Sequence, residues 1–271
     1  MKKKVSGRPS STNQELLYGV NPLLEALRAG DRVPSEIIVA DGARDERLRE
    51  LIELARTRNV RVKRVPKASI DRAVGNTHHQ GVMARIAAAR YVDADDLLLS
   101  IATRVGSESE PLVVVLDGVE DPRNLGAILR TAECAGVDGV FVPERRAAGL
   151  TDAVAKASAG AIEHVPVSRA TNLSRLIEQL KERNVWVVGT VAEAALNYTD
   201  WDWTRPSAVV LGGEGSGLHR LVRENCDVLV RIPVRGKIQS LNVSVAAGII
   251  LYEVLRQRTK ANARLASPTK L

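Results

Sequence analysis

Two patterns of apolar residues alternate along the chain and predict an α/β protein. Short runs such as EIIVA are typical of strands, whereas DERLRELIELARTRN places its apolar side chains at helical spacing. Residues 112–116, LVVVL, form an uninterrupted apolar run, as expected of a strand buried on both faces. Further apolar runs follow at 139–143, 185–190, 208–212 and 228–233. Their alternation with helical patterns predicts a mostly parallel sheet covered by helices on both sides.

The same patterns predict two domains. Residues 1–14 have no apolar periodicity and are expected to be a disordered basic tail. Residues 15–90 alternate helix and strand signals, beginning with the helix NPLLEALRAG, and form a small α/β domain that ends near residue 89. Residues 91–110 contain DADD and GSESEP and are interpreted as a linker, with one helical turn around 97–101. Residues 111–271 form the larger domain.

Composition narrows the function classes. The net charge of +7 favours an acidic polymer as partner, while the aromatic content of 3% disfavours base stacking as the recognition mode. Cys134 and Cys226 are the only cysteines, so neither a disulfide framework nor a zinc site is expected. No signal peptide and no run long enough to span a bilayer is recognised, which predicts a cytoplasmic protein without a membrane partner.

A glycine cluster marks a cofactor site. The segment 211–218, LGGEGSGL, ends an apolar strand, and 232–248, IPVRGKIQSLNVSVAAG, leads from another strand into a helix. The dinucleotide pattern GxGxxG would need a glycine where Leu218 stands, and the phosphate loop would need Ser or Thr where Ile238 stands. These segments therefore predict a small polar cofactor at the carboxyl ends of the strands rather than a dinucleotide or a triphosphate.

A third segment, LDGVEDPRNLGAILRTAECAG at 116–136, predicts a helix with Asp121 as its N-cap and Gly136 at its end. The apolar residues of this helix form a buried stripe: Leu125, Ile128, Leu129 and Ala132. Asn124 and Arg130 fall outside that stripe, and six residues of separation rotate them by about 240°, so they do not share one face.

Together, the three segments resemble the three-motif pattern of SpoU/TrmH-type RNA 2'-O-ribose methyltransferases over about the last 160 residues. The layout is most similar to the enzymes that make 2'-O-methylguanosine in 23S ribosomal RNA. The resemblance implies S-adenosylmethionine as cofactor, a trefoil knot in the C-terminal parallel-sheet domain, and a homodimer through that domain. It also implies that the N-terminal α/β domain binds RNA.

The resemblance carries site roles to matching positions. The implied catalytic residues are Arg130, Asn124, Glu214, Ser240 and Asn242, and the implied cofactor-binding residues are Gly212, Ile232, Leu241, Thr190 and Gly236. Two readings of Arg130 stay open, because the family is often described as using this arginine as the base whereas a protonated guanidinium is better suited to bind phosphate. Ser240 or Asn242 could also simply cap the final helix, expected at 242–258.

The remaining polar residues carry weaker signals. His79 and Gln80 belong to an HQG segment that in ribosomal-RNA members of the family closes the N-terminal domain, so they are candidates for RNA contact. Arg61, Lys63 and Arg64 form either an RNA-facing ridge or a solvated edge. His164 and His219 are interpreted as ordinary surface or helix-end residues.

Three other functions are weighed against this one. A tRNA guanosine 2'-O-methyltransferase would more often lack the N-terminal domain. A non-catalytic RNA-binding or ribosome-assembly factor would not need all five motif residues. A nucleotide-dependent oxidoreductase would need the dinucleotide fingerprint that the glycine cluster lacks.

Overall fold

The computed structural model describes residues 14–43, 45–75, 78–215, 217–238 and 240–266. It divides into two units, one ending at Ala89 and the other beginning at Arg90. The predicted tail lies outside the described residues, except that Gln14 already belongs to a strand.

The first unit contains a four-stranded mixed sheet with three helices. Its elements are β1 (Gln14–Tyr18), α1 (Val20–Ala29), β2 (Glu36–Ala40), α2 (Glu46–Thr57), β3 (Arg61–Val65), α3 (Lys67–Val74) and β4 (Val82–Ala87). The strand order is β1-β4-β2-β3, and only β2 and β3 pair in parallel. Strand β1 was not predicted, because QELLY is short and begins with two polar residues.

Local signals explain where these helices begin and end. Gly30 ends α1 in the left-handed conformation at φ 85°, and its N–H bonds the carbonyl of Ala26. The side chain of Asp45 caps α2 by accepting the N–H of Arg47. Leu48, Leu51 and Ala55 are buried on one face of α2, as the helical spacing predicts.

The second unit is a seven-stranded parallel sheet with the order β7-β6-β5-β10-β8-β11-β9. Its elements are α4 (Ala94–Ala102), β5 (Leu112–Asp117), α5 (Pro122–Cys134), β6 (Gly139–Pro143), α6 (Asp152–Ala157), β7 (Val167–Ala170), α7 (Leu173–Glu182), β8 (Trp186–Thr190), β9 (Leu196–Asn197), β10 (Ser207–Gly212), α8 (Arg220–Asn225), β11 (Val228–Arg231) and α9 (Val243–Ala266). All six residues of β5 are buried. The predicted parallel α/β fold is confirmed.

The expected linker is wrong over much of its length. Residues 94–102 form α4, whose first turn is capped by the side chain of Asp93. Leu97, Leu98 and Ile101 are buried in the same core cluster as Val113. The segment therefore belongs to the second unit, and its acidic start is a helix N-terminus rather than a solvated connection.

Helix α9 begins at Val243, beside the predicted start, and continues beyond the predicted end to residue 266. The side chain of Arg258 bonds α9 to the residues that precede strands β5 and β10. Its guanidinium donates to the carbonyl oxygens of Glu110, Pro111, Trp203 and Arg205, and burial lowers the pKa of this arginine. Among the described helices, none is long and apolar enough to cross a membrane.

Candidate active site

The functional residues of the second unit collect at the carboxyl edge of its sheet. Strands β5, β10, β8 and β11 are consecutive neighbours, and Asp117, Gly212 and Thr190 are the last residues of the first three. The loop that starts at Ile232 follows the fourth. Ligands of parallel sheets bind at this edge, so the fold brings the four strand ends to one place.

Asn124, Glu214 and Asn242 form a hydrogen-bonded triangle at this edge. The Nδ2 of Asn124 donates to Oε1 of Glu214 at 2.5 Å, and the Nδ2 of Asn242 donates to the same oxygen at 3.0 Å. Asn242 Nδ2 also lies 3.0 Å from Asn124 Oδ1, which accepts. Asn124 is buried although it lies outside the predicted apolar stripe, and its Nδ2 and Oδ1 both have hydrogen-bond partners in the triangle.

Asn242 has a second role at the start of α9. Its Oδ1 accepts the N–H of Ser244 at 2.9 Å and the hydroxyl of the same residue at 2.6 Å, so Asn242 is the N-cap. One amide thus begins the helix and holds Glu214. Ser240 is exposed and has no hydrogen bond to any described residue, so the structure places it near the cap but outside the triangle.

The glycine cluster is needed for close backbone approach. A Cβ at Gly213 would lie 2.0 Å from the carbonyl oxygen of Gly118, and a Cβ at Gly212 would lie 2.2 Å from the carbonyl carbon of Gly217. Gly213 N–H donates to the carbonyl of Asp117 at 2.7 Å. Any other residue would push the loop off the β5 end and displace Glu214.

Thr190, one of the expected cofactor-binding residues, has a buried hydroxyl group without a described partner. A buried hydroxyl without a partner is costly, which indicates a site for an external donor or acceptor. Ile232 is half-buried, whereas Leu241 is 40% exposed and Gly236 lies in an exposed loop.

Arg130 is not part of the triangle. It lies exposed on α5 and makes no hydrogen bond or ion pair with the described residues. The structure therefore leaves its guanidinium free for a phosphate, as one of the two readings requires. Within the described residues no group of His, Cys, Asp and Glu could hold a metal ion. Burial raises the pKa of the Cys226 thiol to about 12, which makes it a poor nucleophile.

A cleft of about 630 Å³ opens beside the triangle, and one of its lining residues belongs to a pair that sequence reasoning missed. Its lining includes Asn124, Glu214 and His219. The imidazole of His219, interpreted above as an ordinary helix-end residue, bonds the buried carboxylate of Asp117. A carboxylate ending a buried strand, at the same edge as the glycine cluster, was the signal available in the sequence.

In the first unit, the side chain of His79 is buried and hydrogen-bonded to other residues of the same unit. Its ring is buried, with Nε2 2.7 Å from Asp71 Oδ1 and Nδ1 accepting the N–H of Gly81 at 3.0 Å. The bond with His79 lowers the pKa of Asp71. The Oε1 of Gln80 accepts the N–H of Val20 at the start of α1. Both ring nitrogens of His79 are therefore used inside the unit, and RNA contact by His79 and Gln80 stays a prediction.

Strand β3 presents the predicted basic residues at the edge of the first sheet. Arg61 and Lys63 are exposed and, two residues apart, share one face of the strand. Arg61 lies 4.0 Å from Glu36, whereas Lys63 has no ion pair within the described chain. Arg64 points to the other face, where it donates to the carbonyl of Ala40 at 3.4 Å.

Comparison with known proteins agrees with these two units. Residues 111–252 match the SpoU rRNA Methylase family, and residues 16–92 match the family described as RNA 2'-O ribose methyltransferase substrate binding. A Bacillus subtilis protein named as a TrmH family tRNA/rRNA methyltransferase, YacO, is 44% identical over 92% of this chain and 98% of its own length.

Two solved structures differ in how much of the chain they cover. An AdoMet-bound rRNA methyltransferase from Sinorhizobium meliloti covers 90% of this chain and 88% of its own, with 25% identity and a TM-score of 0.73. A TrmH/SpoU tRNA modifying enzyme of A. aeolicus covers 62% of this chain and 86% of its own, with 29% identity and a TM-score of 0.52. The chain belongs to the SpoU/TrmH family of RNA 2'-O-ribose methyltransferases.

Proposed function

We propose that this enzyme transfers a methyl group from S-adenosylmethionine to the 2'-hydroxyl of a guanosine in 23S ribosomal RNA. The observation that carries the proposal is the triangle of Asn124, Glu214 and Asn242, which lies at the carboxyl edge beside the cofactor positions. The triangle joins all three motifs of the family in one hydrogen-bonded unit.

The described residues suit S-adenosylmethionine. The partnerless hydroxyl of Thr190 can bond a polar group, the backbone around Gly212 can approach closely, and Ile232 and Leu241 supply apolar surface for adenosine. When bound, the cofactor supplies an electrophilic methyl group on a sulfonium sulfur. Gly236 belongs to the exposed loop that follows β11.

The residues of the chain have distinct tasks in the transfer. Arg130 binds the phosphate next to the acceptor ribose and stabilises negative charge on its oxygen. Glu214 keeps Oε2 available, because its two amide partners both bond Oε1 and no described donor bonds the other oxygen. Ser240 lies exposed ahead of the α9 cap, where it can contact RNA.

Ribosomal RNA is favoured over tRNA by the first unit. The rRNA enzyme of S. meliloti covers 90% of this chain, whereas the tRNA enzyme of A. aeolicus covers only 62%. The family match of residues 16–92 assigns substrate binding to this unit, and the exposed cations of Arg61 and Lys63 fit the phosphate backbone.

Ribose-methylation mapping of RNA from cells with and without this chain tests the substrate. The proposal expects one guanosine in 23S rRNA to lose its methyl group when the chain is absent. Loss at a tRNA guanosine instead would select the alternative substrate, and an unchanged methylation pattern in both RNAs would contradict the proposal.

We also propose a homodimer through the second unit, with the C-terminal chain knotted as in the family. Support comes from α9, where Val245, Tyr252 and Leu255 are 50%, 52% and 37% exposed on a helix that is otherwise packed on α5. Such an apolar stripe is typical of a subunit interface. Sedimentation at micromolar concentration should show a dimer, and Tyr252→Glu should shift it to monomer. A fully active wild-type monomer would contradict the proposal.

A further inference from the structure

A buried carboxylate and a half-exposed imidazole form a pair at the end of β5. Asp117 is 4% exposed, and its Oδ2 accepts the N–H of His219 at 2.7 Å. Its Oδ1 lies 2.8 Å from His219 Nδ1. Because a carboxylate only accepts hydrogen bonds, Nδ1 carries the proton, and Nε2 of the neutral ring keeps its lone pair.

The imidazole ring of His219 lines the cleft beside the triangle. The side chain of His219 is 47% exposed, and its ring lies over Gly118, where a Cβ would be 3.6 Å from Cε1. The same cleft is lined by Asn124 and Glu214. The imidazole therefore lies in the same cleft as two of the triangle residues on which the proposed function rests.

The methyl transfer must remove the proton of the 2'-hydroxyl, and the other polar groups at this edge are either cationic or already held by hydrogen bonds. Arg130 is a guanidinium and stays protonated. Glu214 is held in the triangle, where its Oε1 accepts two amide N–H groups and only its Oε2 has no described donor. Asp121 is held at the start of α5, where its Oδ1 accepts the N–H of Arg123. A neutral imidazole supported by a buried carboxylate is the arrangement that general bases use near neutral pH.

We propose that His219 is the general base of the methyl transfer, which rests on the function proposed above. Nε2 takes the proton of the 2'-hydroxyl while the ribose oxygen forms its bond to the methyl carbon. The carbon–sulfur bond breaks with its electron pair on sulfur, so the sulfonium becomes a neutral thioether. The imidazolium then returns its proton to water, and no further reactant is needed.

The charged groups around the ring come from several elements. Glu120, Asp121, Arg146 and Glu214 line the cleft with His219, Asp117 is bonded to its ring, and Arg220 and Arg223 belong to its own helix. The rate of transfer should fall about tenfold per pH unit once acid protonates the free ring, since the lone pair is then lost.

Single-turnover methyl transfer at saturating RNA and S-adenosylmethionine tests the proposal with His219→Gln and His219→Ala. Both should lose about 100-fold or more in rate while cofactor and RNA affinities stay at wild-type values. The Gln variant should also lose the acid limb of the pH profile. Added imidazole should restore part of the rate in the Ala variant, because a free base can enter the half-exposed site. His164→Gln removes an exposed histidine elsewhere and should keep the wild-type rate.

The outcomes separate this proposal from the function on which it rests. Absence of ribose methylation by the wild-type protein would overturn the function itself. Ribose methylation by the wild type with an unchanged rate in His219→Gln would overturn only the role of His219. A slow Gln variant that keeps the acid limb, with no imidazole rescue of the Ala variant, would assign His219 a structural role and also overturn the proposal.

Discussion

At the scale of single residues, the site divides into side chains that hold the loops and side chains that stay free. Asn124 and Asn242 use their amides on Glu214, so a change at any of the three leaves a polar partner unsatisfied. Arg130 has no such bonds among the described residues. Its removal should therefore affect the reaction far more than the fold.

Arg130→Ala tests that division. The variant should bind S-adenosylmethionine as the wild type does, because Arg130 lies outside the cofactor positions. Its single-turnover rate should fall by about two orders of magnitude or more, in line with the loss of a group that stabilises charge in the transition state. Arg130→Lys keeps the positive charge but loses the two-pronged guanidinium, so its single-turnover rate should lie between those of the wild type and Arg130→Ala. A normal rate in Arg130→Ala would contradict its catalytic role.

The sequence predicts the triangle better than the Asp117–His219 pair for a physical reason. Asn124, Glu214 and Asn242 lie in motifs whose spacing is shared by a family. Asp117 and His219 are 102 residues apart, and only the pairing of β5 with β10 brings them together. The buried position of His79 has the same origin, since its partner Asp71 belongs to another element.

At the scale of elements, long apolar patterns predict the strands correctly, whereas short polar strands give no periodic signal. The five predicted strands of the second sheet are present, whereas β7 and β9 were not predicted, because VSRA and LN are too short to show a period. The acidic residues of the α4 segment favour a linker with one helical turn around 97–101, whereas the buried spacing of Leu97, Leu98 and Ile101 belongs to a full helix.

Strand β3 carries an element-scale prediction about RNA. Arg61→Gln and Lys63→Gln should each weaken RNA binding and lower the slope of log affinity against log salt by about one unit for each phosphate that the variant no longer neutralises. Arg28→Gln is the matched control in the same unit, because that arginine pairs with Glu25 and Glu50. Filter binding at several salt concentrations measures all three. Equal slopes in the wild type and in both β3 variants would mean that Arg61 and Lys63 contact solvent and not RNA phosphate.

At the scale of the whole molecule, the features expected to bind RNA and the features expected to transfer the methyl group lie in different units. The first contains the substrate-binding match and the basic β3 edge, and the second contains the triangle and the cofactor positions. The sequence predicts both units from alternation of elements. The proposed homodimer rests on the family resemblance and on the exposed apolar residues of α9, not on periodicity alone.

The most direct measurement is the chemical identity of the methylated product. The purified protein is incubated with S-adenosylmethionine labelled in its methyl group and with unmodified 23S rRNA, in EDTA, and the RNA is digested to nucleosides. The account predicts label in 2'-O-methylguanosine. Label in a base-methylated nucleoside, or no label without a divalent metal ion, would contradict it.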